Sequence, residues 1–78
     1  MSNISNLDPY QELANAIVLQ AAKDYRDANK KLARSRKNRA AQDVHDECLR
    51  FFRSKWFSLL TEVDPEFLIR RLDEEVNE

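Results

Sequence analysis

The chain has 78 residues, enough for one domain, with 42% hydrophobic and 35% charged residues, one cysteine and no glycine. That balance is too apolar for a disordered chain and too charged for a membrane protein, and no stretch approaches the ~20 apolar residues that span a bilayer. The missing glycines argue against phosphate-cradling loops, dinucleotide fingerprints and tight hairpins, all of which need positive backbone φ, and leave helices joined by short turns.

The opening Met1-Ser2-Asn3-Ile4-Ser5-Asn6 lacks the basic start and apolar run of a signal peptide. Cys48 has no second cysteine to pair with, so a reducing cytoplasm is the expected setting. Residues 1–8 are expected to form a flexible tail ahead of a single helical domain over 9–78. A domain this small buries only about 60% of its unfolded surface and keeps a margin of a few kcal/mol. Either its core is dense in large side chains, or a partner covers part of it.

Asp8-Pro9 opens the first helix. Asp8 can cap free N–H groups, Pro9 fits the first helical position, and Gln11 sits three residues after the cap. Tyr10, Leu13, Ala14, Ile17, Ala21, Tyr25, Ala28 and Leu32 then recur at helical spacing, which predicts a helix over 9–33 with that stripe inward. Such a helix is roughly 37 Å long, against about 30 Å for a compact domain of this size. One end is expected to project, and the end with Lys30, Lys31 and Arg34 is the more polar.

Ser35 to Asn38 is the expected break. A second helix follows over 39–53, with Ala41, Val44, Cys48, Phe51 and Phe52 on its inner face. Ser54 can cap a short third helix over 55–61, carrying Trp56, Phe57, Leu59 and Leu60. Nothing at Arg53-Ser54 forces a stop, so the second and third helices are also readable as one. Asp64-Pro65 repeats the opening device and starts a last helix over 65–76, with Phe67, Leu68, Leu72 and Val76 inward. The expected fold is all-α, a small bundle of three to four helices.

Phe51, Phe52, Trp56 and Phe57 make a wide apolar surface, because adjacent helical residues lie about 100° apart. These rings are either the core of the bundle or, at Phe52, Trp56 and Phe57, an anchor for a protein partner or a second copy of the chain. Net charge is −1, but residues 30–39 hold six cations, Lys30, Lys31, Arg34, Arg36, Lys37 and Arg39, and no acid. They offset a helix end and solvate a turn, or else they meet the phosphates of a nucleic acid. No RNA-binding signature or zinc-finger spacing accompanies them, and no aromatic residue is interleaved for base stacking.

Residues 62–78 hold seven acids against Arg70 and Arg71. They read as a solvated, fraying end or as a contact for a basic surface, and they are too few to mimic DNA. His45 lies three residues before Cys48, but zinc takes about four ligands, and one His with one Cys supplies neither a metal site nor an organised nucleophile. The expected roles are a surface histidine and a core cysteine. No cofactor, catalytic residue or small-molecule substrate is expected, and the chain reads as a binding protein.

Two segments carry a resemblance. One runs from Ala14 to Arg26, and the other reads Cys48-Leu49-Arg50-Phe51-Phe52-Arg53-Ser54-Lys55-Trp56-Phe57-Ser58-Leu59-Leu60-Thr61, followed by Asp64 and Leu68-Ile69. Together, over about half the chain, they resemble small accessory proteins of Gram-positive phages and integrative elements, in which the second stretch reads FFRSxWFxxLT. Where that family has a glycine in the acidic turn, this chain has Pro65, so the turn is expected to differ. The resemblance brings no established activity. It implies a mobile-element accessory protein that binds a host or phage protein, in some cases to blunt a host defence, or a nucleic acid.

Overall fold

A computed structural model describes residues 8–77, so the tail expected over residues 1–8 lies outside the described residues except for Asp8, which caps the first helix. The four helices are α1 (Pro9–Arg34), α2 (Arg39–Phe52), α3 (Lys55–Leu60) and α4 (Pro65–Asn77), and no strand occurs among the described residues. The fold is all-α, as the periodicity predicts.

Local chemistry sets each boundary. The Asp8 carboxylate accepts from the Tyr10 N–H at 2.9 Å, with Pro9 at the first helical position. Gln11 does not close a capping box: its amide donates along the helix to Asn15. Asn38 caps α2 by accepting from the Ala41 N–H at 3.0 Å. Asp64 accepts from the Glu66 N–H at 3.0 Å as α4 starts.

The break between α2 and α3 is real and has one author, Ser54. Its hydroxyl donates to the Phe51 carbonyl at 2.7 Å and accepts from the Phe57 N–H at 3.2 Å. The side chain thereby replaces two backbone partners that a continuous helix would supply. The 100° steps along one long helix would carry Phe57 away from Phe51 and Phe52. The kink brings it back, and Phe51 and Phe52 meet Phe57 edge-on with centroids 5.6 and 5.7 Å apart.

The core is Ala22 and Tyr25 from α1, Cys48 and Phe52 from α2, Phe57 from α3, and Ile69 and Leu72 from α4. Several inward expectations fail, for a common reason. Tyr10 and Leu13 continue the stripe of α1 but lie beyond the end of the core, and they are 81% and 60% exposed. Val44 on α2, Trp56 and Leu59 on α3, and Phe67 on α4 are likewise exposed. The stripe of α4 is rotated, so that Ile69 is buried in place of Phe67, over whose ring the Arg70 guanidinium sits at 5.6 Å. A bundle this small cannot cover every apolar residue on four helices.

The molecule is elongated, 47 × 27 × 21 Å, because α1 outruns the core. The exposed apolar overhang is the start of α1, where Tyr10 and Leu13 lie. The basic end is backed by the start of α2, where Ala28 and Ala41 are both buried.

Polar bonds tie α4 to the rest. The Tyr25 hydroxyl and the Asn29 amide both donate to Asp73 Oδ1, at 2.7 and 3.0 Å, and Arg26 Nε donates to Glu75 at 2.6 Å. Arg53 grips Glu66 with two nitrogens at 2.9 and 3.2 Å. The acidic end of α4 is therefore a surface clamp on α1: Asp73 and Glu75 bond to it while remaining exposed to solvent.

Candidate protein-binding cleft

The start of α1 and the outer face of α3 converge on a cleft of about 330 Å³. Tyr10, Leu13 and Ile17 line one wall, and Trp56, Leu59 and Leu60 the other. Three-residue and four-residue steps on α1 and on α3 put these side chains on facing ridges. Trp56 is 57% exposed and Leu59 is 74% exposed, so four large apolar side chains crowd one end of the molecule with their surfaces in solvent. Asp8 lines the same cleft, and Glu62 lines a groove that adjoins it, which gives the apolar floor an acidic edge.

Of the three anchors expected from sequence, only Trp56 is at this surface. Phe52 and Phe57 are 0% and 1% exposed and belong to the interior, where the Tyr25 and Phe52 rings also meet edge-on at 5.6 Å. They are corrected to core residues. The kink at Ser54 makes the division: it turns Phe57 inward and, one step of 100° away, leaves Trp56 outside. Sequence reasoning missed Tyr10, Leu13 and Leu59 as surface residues. The available signal was the length of α1 against the size of the core.

A second groove, of about 530 Å³, runs between α1 and α2. Its floor includes Ala28, Ala41 and Cys48, and Asp24, Asp27 and Glu47 are among the residues around it. It is larger than the cleft but offers no aromatic side chain. Burial, together with the nearby Asp24 and Glu47, pushes the Cys48 thiol up from its ordinary range, so it stays protonated.

His45 is not the surface residue expected from sequence. Its ring stacks on Tyr25 with centroids 5.0 Å apart, and Nδ1 donates to Asp46 at 3.0 Å. That bond and a second one from Gln42 hold the Asp46 carboxyl below its ordinary value. Burial, followed by the Asp73 carboxylate, raises the Tyr25 hydroxyl well above the usual tyrosine range. The Tyr25–His45 stack thus stays packed and neutral at the phenol. Among the described residues, no three His, Cys, Asp or Glu side chains gather as a metal site.

The six cations Lys30, Lys31, Arg34, Arg36, Lys37 and Arg39 are all exposed, at the tip where α1 ends and α2 begins. None forms an ion pair among the described residues, where the arginine pairs are Arg26–Glu75 and Arg53–Glu66. The tip and the cleft are carried by opposite ends of α1. Among the described residues, no helix is long and apolar enough to cross a membrane. Comparisons with protein-family models, curated proteins and solved structures returned no match.

Proposed function

We propose that this chain is a non-enzymatic, cytoplasmic protein-binding module that seats an apolar helix of another protein in the cleft between α1 and α3. The observation that carries this reading is the exposure of Tyr10, Leu13, Trp56 and Leu59 on facing ridges. Together they leave on the order of 500 Å² of apolar surface in water, near the upper end of what a monomer shows. Trp and Tyr are the residue types that dominate binding energy at interfaces. The acidic edge at Asp8 and Glu62 favours a partner helix whose apolar face is flanked by lysine or arginine.

Reading the chain as a binder rather than a catalyst rests on the state of its reactive groups. The single histidine is stacked on Tyr25 and bonded to Asp46, and the single cysteine is buried and protonated. A mobile-element setting, with a host or phage protein as the partner and counter-defence as its purpose, rests on the resemblance of the two segments alone.

The test compares wild type with Leu13→Glu/Leu59→Glu. Both positions are mostly solvated, so the double variant is expected to melt like wild type. Wild type immobilised against a Gram-positive lysate is expected to retain a defined protein that the variant releases. If both retain the same proteins, or neither retains any while wild type stays monomeric by light scattering across a dilution series, the reading fails. Self-association that the variant abolishes would instead identify a second copy as the occupant.

A further inference from the structure

The dipole of α1 places about half a negative charge at its C-terminus, and Lys31 and Arg34 in its last turn answer that need. The same rule fails for the other cations. Arg36, Lys37 and Arg39 surround the start of α2, where the helix end is positive and anions are favoured, and α2 has no acid in its first turn. Because α1 ends where α2 begins, the two helix ends nearly cancel, and the backbone asks for no surplus of cations. Along the chain, no acid falls between Asp27 and Asp43. Glu75, which approaches from α4 and feels Lys30, is already held by Arg26. Arg36, Lys37 and Arg39 repel one another and form no ion pair among the described residues, so the helix ends do not account for them.

We propose that the α1–α2 tip docks the phosphate backbone of duplex nucleic acid through Arg34, Arg36, Lys37 and Arg39. The rest of the chain holds fourteen acids against seven cations, so the excess of positive charge that would attract a polyanion is concentrated at this end. The tip carries no aromatic residue, so unpaired bases find no stacking platform, and its exposed apolar residues are only Ala33 and Ala40, too small to enter a lipid surface. The amides that would read base edges are engaged elsewhere. Asn38 caps Ala41, Gln42 holds Asp46, and Asn29 holds Asp73. With these amides engaged, the free groups at the tip are the cations, whose first partners on a duplex are its phosphates.

Fluorescence anisotropy of a labelled random-sequence DNA duplex, titrated with the full chain across salt, tests this. Four phosphate contacts give a log–log salt slope near about −3.6, a loss of roughly 150-fold in affinity between 50 and 200 mM salt. Arg36→Gln/Lys37→Gln/Arg39→Gln is expected to bring the slope to about −0.9, with a melting temperature equal to or above wild type. The cleft variant Leu13→Glu/Leu59→Glu is expected to bind the duplex normally, which separates this proposal from the protein-binding one. Absence of binding at low salt, an unchanged slope in the triple variant, or retention by anionic phospholipid vesicles in place of the duplex would each overturn it.

Discussion

Trp56 and Phe57 are neighbours on one six-residue helix, and the architecture assigns them opposite fates, 57% and 1% exposed. Truncating each to alanine makes the same change in helix propensity and removes a large ring, so the difference between the two variants reports burial. Trp56 covers somewhat under half of the ~250 Å² that a tryptophan presents, about 100 Å². At ~25 cal/mol per Å², and allowing for burial already present in the denatured chain, Trp56→Ala costs about 2 kcal/mol. Phe57→Ala empties a site packed by Phe51 and Phe52 and falls in the range of about 3–5 kcal/mol for a fully buried aromatic. Urea unfolding followed by circular dichroism measures both. A stabilising osmolyte such as trimethylamine oxide keeps the weaker variant folded at zero denaturant. Phe57→Ala must be the more damaging. If Trp56→Ala costs as much or more, the ring of Trp56 is in the core, the kink at Ser54 is misplaced, and the cleft does not exist as described.

Two further outcomes follow from the local bonds. Ser54→Ala removes the cap of α3 and the bond to the Phe51 carbonyl, and it is expected to cost about 1–2 kcal/mol, seen as a melting temperature lower by roughly 4–16 °C; an unchanged melt would mean that Ser54 does not hold the kink. Acid is expected to loosen the clamp of α4. Arg26 holds the Glu75 carboxyl, and Arg53 the Glu66 carboxyl, below the ordinary glutamate value. Their contribution is complete above about pH 4.3 and is lost as pH falls through the lowered folded-state values. Melts at steps from pH 6 down to about 3 should stay level at first and then decline, and Glu75→Gln should flatten part of that decline. A melting temperature that rises on acidification would contradict the pairing.

The helices themselves were legible in the sequence. At Ser54 the sequence also allowed one helix running through α2 and α3, whereas Asp8-Pro9, Asn38 and Asp64-Pro65 cap through bonds that span two or three residues, so those starting points needed no tertiary information. The same holds for the all-α class and for the six cations within residues 30–39, which the sequence alone displays. Periodicity also marked the apolar side of α1 and α2, though on α4 it placed Phe67 inward where Ile69 is buried. It did not reveal how far along the helix burial extends, because Tyr10 and Leu13 obey the same spacing as Tyr25 and Ala28.

Tertiary structure decided the remainder. Choosing Phe52 and Phe57 for the interior and Trp56 for the surface required the angle at Ser54, which depends on how α3 folds back on α2. Burying Ile69 in place of Phe67 required the rotation of α4, which the distant partners Tyr25–Asp73 and Arg26–Glu75 fix across 48 and 49 residues of chain. The stacking of His45 on Tyr25 likewise joins two helices. Local spacing encodes a helix and its greasy side. Which stretch of that side lies under a neighbour depends on contacts between distant parts of the chain, and those set the exposed cleft.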